Sequence, residues 1–127
     1  MRMDNYYLNL IIKMVKELTD KIKLFRVLHG VDKVYISSDG ELFVEEPNNF
    51  SGQCLSWYEN GQLEYEHNYK NGKPHGKWLG WNENGQLKYE HNYKNGKEQG
   101  KCWYWYKNGK EQGKCLYWYE NGQLEYE

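Results

Sequence analysis

Glu59-Asn60-Gly61-Gln62-Leu63 is the stretch that decides how this chain folds, because the chain repeats it. The same five residue types return at Glu83–Leu87 and at Glu120–Leu124, and the first two copies lie 24 residues apart. The stretch Tyr69-Lys70-Asn71-Gly72-Lys73 returns as Tyr93–Lys97 at the same spacing. A fixed period of this size predicts an array of small structural units, each packed on its neighbours. Arrays of this kind mostly bind partners and seldom carry out chemistry.

Each unit is predicted to contain two short strands joined by a three-residue turn, Glu59-Asn60-Gly61, with its glycine in the left-handed conformation. Leu55 and Trp57 are two residues apart on the first strand and therefore share a face. The turn length predicts that Trp57 lies opposite Leu63 and that Leu55 lies opposite Tyr65. The predicted fold is mainly β with one N-terminal helix, an elongated open antiparallel β-meander of hairpin repeats.

Residues 31–45 align with the repeat as a degenerate first copy. Gly40 aligns with Gly61, and Leu42 aligns with Leu63. Terminal repeats are expected to be atypical, because they pack on only one neighbour. We therefore predict that the array begins at residue 31, before the first clear copy of the repeat.

The period also predicts how the rest of the array is organised. The third Tyr-Lys-Asn-Gly-Lys stretch begins at Tyr106, only 13 residues after the second, so about one strand and its turn is missing there. The chain stops at Glu127 within a predicted second strand, which is either naturally short or part of a longer array. The predicted division is a helix in 1–30 and a repeat array in 31–127, with a degenerate unit in 31–51 and clear repeats in 52–127.

The N-terminal segment carries a helical signal. Asp4 is a predicted N-cap, and Gly30 is a predicted left-handed residue after the last helical turn. The helix either docks on the sheet of the same chain or pairs with a second copy, since its apolar spacing is that of a coiled coil over about three heptads. The apolar residues recur at spacings of three and four: Leu8, Ile11, Val15, Leu18, Ile22 and Phe25.

Composition excludes several classes of function. The formal net charge is −1, which gives no electrostatic basis for binding nucleic acid. No apolar run reaches the roughly 20 residues that a membrane span needs, and no signal-peptide cleavage pattern follows Val15. The three cysteines, Cys54, Cys102 and Cys115, lack paired spacing, which favours free thiols in a reducing compartment. We therefore predict a cytoplasmic protein.

The cysteine and histidine residues form no recognisable pattern of a metal or catalytic site. Structural zinc sites usually have paired ligands a few residues apart, and this chain has none. His67 and His91 occupy the same place in successive units, between two tyrosines, which is typical of packing. No serine or cysteine has a histidine placed to activate it. We predict no enzyme activity, no cofactor and no metal.

Two stretches resemble a known repeat family. Tyr69–Trp78 resembles the core of a MORN repeat, which has an aromatic residue, a Lys-Asn-Gly-Lys turn and a His-Gly pair. The Glu-Asn-Gly-Gln-Leu stretch and the 24-residue period resemble the bacterial variant of that repeat, which is common in YwqK-type antitoxin proteins. The resemblance covers about Gly52–Glu127 and keeps the His-Gly pair only at His75-Gly76, with Gln99 and Gln112 in the other copies. It implies an open sheet of stacked hairpins used for protein contacts and, in some arrays, for phospholipid binding.

The copies differ most near the C-terminal end, where tyrosines replace smaller or polar residues. These tyrosines are either covered by the helix or form an exposed patch that binds a partner. We predict a non-enzymatic scaffold for protein–protein interaction, specifically an antitoxin that neutralises a protein toxin. The candidate patch is Tyr104, Tyr106, Tyr117 and Tyr119.

The sequence leaves open two other binding partners, a phospholipid membrane and a second copy of the chain. A peripheral membrane or phospholipid-binding array is the alternative function, because lysines cluster in the loops of one sheet edge. Oligomerisation through the N-terminal helix is the second possibility. The loop lysines are Lys70, Lys73, Lys94, Lys97, Lys107 and Lys110.

Overall fold

The computed structural model describes residues 5–98 throughout and, beyond them, the backbone of 103–105, 111–114, 117–118 and 124–126. Its contacts divide the chain into two compact units, Met1–Val31 and Asp32–Glu127. The first unit contains the helix and the second contains the strands. Within the described residues there is no helix with the length and apolar character that crossing a membrane requires.

Helix α1 runs from Asn5 to His29, as the apolar spacing predicts. It ends where Gly30 adopts a left-handed φ of 62°. The Gly30 amide donates to the Val27 carbonyl at 3.3 Å, and the Val31 amide donates to the Arg26 carbonyl at 3.1 Å. These bonds satisfy carbonyl groups that the end of a helix otherwise leaves without partners. The predicted N-cap, Asp4, lies outside the described residues.

All the described strand pairs are antiparallel, and nine strands form one open sheet. Their order across the sheet is β2-β1-β3-β4-β5-β6-β8-β9, with β7 also paired to β6, while β10 and β11 form a separate two-stranded sheet. The predicted mainly β fold with one N-terminal helix is confirmed. The strands are β1 (Lys33–Ser37), β2 (Leu42–Phe43), β3 (Gly52–Trp57), β4 (Leu63–Lys70), β5 (Lys73–Trp81), β6 (Leu87–Lys94), β7 (Lys97–Glu98), β8 (Trp103–Trp105), β9 (Glu111–Lys114), β10 (Tyr117–Trp118) and β11 (Leu124–Tyr126).

The register within each hairpin differs from the prediction by one residue. Trp57 lies opposite Leu63, as expected, but Tyr65 lies opposite Ser56 instead of Leu55. The register shifts between Ser56 and Trp57, where one extra residue on β4 forms a β-bulge. A one-residue shift moves a whole strand's side chains to the other face. The second-strand tyrosines therefore lie on the face opposite Leu55.

The first strand departs from a simple meander. A meander would place β2 beside β3, whereas β1 is the strand that pairs with β3 and β2 forms the edge. The connection from β2 to β3 carries Phe50, which is only 3% exposed. Its ring packs against Tyr35 at 5.5 Å and Tyr69 at 5.8 Å, measured between centroids. Burial of Phe50 thus ties this crossover connection to the sheet.

The turn of the predicted first copy nevertheless has the geometry of the later turns. The Gly40 amide donates to the Ser37 carbonyl at 2.8 Å, and the Gly61 amide donates to the Tyr58 carbonyl at 3.0 Å. Gly40 and Gly61 both have a φ of 89°. Residues 37–41 therefore form the same local structure as the turn that follows β3.

Candidate functional site: an aromatic face of the sheet

Alternate residues of neighbouring strands bring aromatic rings to one face of the sheet. The central row is set by cross-strand pairs: Cys54 lies opposite His67, His67 opposite Trp78, and Trp78 opposite His91. Every ring of this face except Phe50 is partly exposed to solvent. We call this surface the aromatic face; it consists of Tyr35, Phe50, Tyr65, His67, Tyr69, Trp78, Tyr89, His91 and Tyr93.

The rings of the aromatic face are in continuous contact. His67 is stacked between Tyr65, at 4.1 Å and 16°, and Trp78, at 3.8 Å and 10°. Trp78 also lies 5.2 Å from Tyr69 and 5.1 Å from Tyr93 in tilted arrangements. Its indole Nε1 donates to a β4 backbone carbonyl, that of residue 68, at 2.7 Å. The rings are therefore held in one arrangement by packing and by a backbone hydrogen bond.

Small residues make room for the tyrosine rings. Gly80 lies opposite both Tyr65 and Tyr89. A Cβ atom at Gly80 would come within 2.1 Å of the Tyr89 ring, so any larger side chain would displace that ring. At the matching place in the preceding unit, Ser56 is 7% exposed and lies opposite Tyr65.

His67 is neutral near pH 7 and belongs to the packing of this face. Burial, with a smaller contribution from the nearby His91, lowers the pKa of its imidazole to about 4. The His67 Nε2 atom is hydrogen-bonded to the Tyr89 hydroxyl at 2.7 Å. In the next unit the imidazole of His91 is paired through Nδ1 with the Glu98 carboxylate. The repeated histidines are thus hydrogen-bonded members of the ring stack.

Burial also keeps the thiol and phenol groups of this face protonated. Cys54 is 1% exposed, and burial raises the pKa of its thiol. Burial likewise raises the pKa of Tyr69 and that of Tyr89, each to about 12. These groups therefore stay protonated at neutral pH, and the aromatic face carries little charge of its own.

Backbone hydrogen bonds join successive units at the loop edge of the sheet. The Gly72 amide donates to the Phe50 carbonyl at 2.8 Å, and one period later the Gly96 amide donates to the Pro74 carbonyl at 2.8 Å. These bonds hold neighbouring hairpins in a fixed spacing. The rings of consecutive units can therefore meet across the unit boundary, as Trp78 and Tyr93 do.

Side chains add a second link at the same edge. The Asn71 amide donates to the Ser51 hydroxyl at 3.0 Å, and the Asn95 amide donates to the His75 Nδ1 atom at 3.3 Å. Ser51 and His75 occupy the same place in successive units. The histidine of the His-Gly pair thus accepts a hydrogen bond from the next loop, which a serine also does. Of the two glutamines that replace it, Gln99 lies outside the described residues and Gln112 lies in β9, for which only the backbone is described.

The opposite face of the sheet carries Trp57 and Trp81 in addition to aliphatic and polar side chains. An open groove of about 1000 Å³ crosses it beside Ile36, Glu66 and Leu79. Two of its polar side chains are paired, since Gln53 Nε2 donates to Glu66 Oε1 at 3.1 Å. The aromatic side chains that line the groove are Tyr69 and His75, so it offers fewer aromatic anchors than the aromatic face. Among the described residues no three His, Cys, Asp or Glu side chains are placed to hold a metal ion.

A comparison with protein-family models identifies the repeats. The MORN repeat variant model matches residues 51–71, 74–95 and 111–127. These three stretches, just under half of the chain, are therefore similar to MORN-variant repeats. A search of curated proteins and a search of solved structures gave no significant match.

The predicted tyrosine patch falls at the C-terminal end of the repeat array and is only partly described. Tyr104 lies opposite Tyr89, in the register row that contains Gly80 and Tyr65. Tyr117 lies opposite another tyrosine in the separate sheet of β10 and β11. Tyr106 and Tyr119 lie outside the described residues. By register, Tyr104 thus continues the row of Tyr65 and Tyr89, while Tyr117 belongs to a different sheet.

Sequence reasoning did not identify the aromatic face itself. It placed the second-strand tyrosines with Leu55 and Trp57, because it did not include the bulge after each turn. One signal was present: Ser56 and Gly80 are small residues at matching places in successive first strands. A small residue that recurs within a strand indicates that something bulky lies over it.

Proposed function

We propose that the chain is a non-catalytic scaffold whose aromatic face binds a protein partner. The observation that carries this proposal is the continuous row of partly exposed rings from Tyr35 to Tyr93. Tyrosine and tryptophan are the residue types most enriched at the centres of protein interfaces, where rigid rings fill pockets of the partner. Rings already fixed by stacking lose little further conformational entropy when a partner binds.

The chemistry of the face supports binding over catalysis. His67 is neutral and is stacked and hydrogen-bonded, so it is not free to move a proton to a substrate. The Cys54 thiol has a raised pKa and lies beneath the rings, where a substrate would not reach it. A nucleophile needs a lowered pKa or an adjacent free base. The described residues supply neither at this face.

The specific form of the proposal is an antitoxin that neutralises a protein toxin. Its support is the resemblance of the repeats to those of antitoxin proteins. The test is co-expression of this chain with the reading frame beside its gene. A toxic product that this chain binds and neutralises supports the antitoxin role. A neighbouring product that is harmless, or that forms no complex with this chain, contradicts it.

Variants of the two faces test which surface binds. Tyr69→Lys with Tyr93→Lys places two charges on the aromatic face, and the lysine stems still cover part of the sheet. Leu79→Lys with Leu87→Lys does the same on the opposite face and is the matched control. We expect the first pair to abolish co-purification of the partner and the second to retain it, with circular dichroism confirming that both fold. The reverse result would contradict the proposal.

Phospholipid binding by the array is the second candidate function. Lys70, Lys73, Lys94 and Lys97 are all exposed, and they flank two successive hairpin turns at one sheet edge. Clustered lysines attract anionic headgroups by about 1 kcal/mol each. Sedimentation with anionic vesicles at low salt tests this candidate. It is rejected if replacing these lysines with glutamine leaves vesicle binding unchanged.

A further inference from the structure

Helix α1 has an apolar face that runs along most of its length. At roughly 100° per residue, Leu8, Ile11, Val15, Leu18, Ile22 and Phe25 fall on one side, and Ile12 and Met14 widen that side. Several of these side chains are exposed, among them Ile12 at 57%, Met14 at 59% and Val15 at 60%. An apolar face of this width is broader than the narrow seam of a coiled coil.

The charges of α1 are ordered around this face. Lys16 and Lys23 lie along one border of the apolar face and Lys21 along the other, while Arg26 lies within the face, at the same helical angle as Leu8. Glu17 and Asp20 lie on the side away from it, together with Lys13 and Leu24. Between Asn5 and His29 there are five basic and two acidic side chains, whereas the whole chain has a net charge of −1. The helix is therefore basic within a chain that is otherwise acidic.

This order of charges distinguishes between two occupants of the apolar face. In a parallel coiled coil with Leu8 and Ile11 in the core, Lys21 would lie beside Arg26 of the second copy, and the two positive charges would repel. An anionic membrane surface instead attracts every basic group along the borders. Lysines there can extend their charged ends to the headgroups while their stems stay on the apolar side.

We infer that α1 lies in the headgroup region of an anionic membrane, with the side containing Ile11 and Val15 facing the acyl chains. This inference is independent of the partner bound by the aromatic face. A helix of 25 residues is roughly 38 Å long, and it would lie along the membrane surface instead of crossing it.

The test uses the full chain and vesicles of phosphatidylcholine with or without phosphatidylglycerol. Lys16→Gln, Lys21→Gln and Lys23→Gln together should weaken partition into phosphatidylglycerol vesicles roughly 100-fold, since each lysine near the surface contributes about 1 kcal/mol. The matched control is Lys33→Gln, Lys77→Gln and Lys88→Gln, which removes the same charge from exposed lysines of β1, β5 and β6 that lie outside the loop edge. The control variant should bind as the wild type does. Equal losses in the two triple variants would overturn the inference.

A second pair of variants tests the apolar face. Val15 and Leu24 are equally exposed, at 60% and 59%, but lie on different sides of α1. Val15→Asp should reduce vesicle binding at least tenfold, because burying a valine is worth about 1.5 kcal/mol or more. Leu24→Asp should have a much smaller effect. Equal effects would contradict the inference.

The oligomeric state in solution distinguishes membrane binding from pairing with a second copy. We expect the wild-type chain to be a monomer in solution by light scattering and to bind phosphatidylglycerol vesicles in a salt-dependent way. A stable dimer that Val15→Asp dissociates, or no binding to either kind of vesicle, would overturn the inference. Loss of the partner of the aromatic face would not affect it.

Discussion

At the scale of single residues, Gly80 shows how this sequence fixes the aromatic face. The absence of a side chain there lets the Tyr89 ring lie over the strand, and Tyr89 in turn bonds to His67. Gly80 is not one of the glycines with a positive φ. A glycine is needed there because the Tyr89 ring occupies the space of a side chain, and not because the backbone requires it. Close packing of this kind makes even one added methyl group costly.

Gly80→Ala should lower the free energy of unfolding by about 1–2 kcal/mol. The overpacking cost of about 1–3 kcal/mol exceeds the roughly 0.5–1 kcal/mol that alanine gains over glycine in a strand. Urea denaturation measures the change. In a Tyr89→Ala background the same substitution should be neutral or stabilising, because the ring is gone. The account fails if Gly80→Ala destabilises both backgrounds equally.

His67 should make stability depend on pH. Its folded pKa of about 4 lies below the ordinary value of 6.5, so the unfolded chain takes up a proton first as the pH falls. The free energy of unfolding should therefore be highest above pH 6.5 and decline as the pH falls toward 4. His67→Phe keeps an aromatic ring in the stack and removes this titration. Thermal unfolding from pH 7.5 to pH 4 should show a smaller decline in His67→Phe than in the wild type; identical declines would contradict this assignment.

At the scale of the hairpin, the turns were predictable and the face of the second strand was not. The Glu-Asn-Gly turn fixed the pairing of Trp57 with Leu63, because loop length and glycine position determine the turn. The bulge depends on how the strand leaves that turn, and the alternation of apolar residues does not report it. The repeat pattern also predicts no contact for Trp78. In the structure its ring lies at the centre of the stack, against His67.

The Lys-Asn-Gly-Lys loops make a prediction at this scale. Asn71 and Asn95 each have a φ of 51°, and the glycine that follows each is also left-handed. Asn71→Ala should cost about 1–2 kcal/mol of stability, since alanine disfavours this conformation. Asn71→Gly removes the same side chain and should be close to neutral. Thermal denaturation of the two variants separates the effect of backbone conformation from the loss of side-chain contacts. Equal destabilisation by alanine and by glycine would contradict the role of backbone conformation.

At the scale of the whole molecule, repetition made the architecture predictable. The 24-residue period gave the units, the sheet and the MORN-variant resemblance, which the family comparison supports. The predicted patch of Tyr104, Tyr106, Tyr117 and Tyr119 followed from differences between copies. The aromatic face arises instead from what the copies share: Tyr65 and Tyr89, His67 and His91, and a small residue beneath. The aromatic face thus rests on what the copies share, and the tyrosine patch stays a prediction.

The central claim is that this chain binds a protein partner through its aromatic face. Hydroxyl-radical footprinting of the complex with the co-purified partner tests it most directly, because tyrosine and tryptophan rings on both faces react. We expect Tyr69, Trp78 and Tyr93 to be protected in the complex, while Trp57 and Trp81 react as they do in the free chain. Protection of Trp57 and Trp81 with Tyr69, Trp78 and Tyr93 unchanged would contradict the claim.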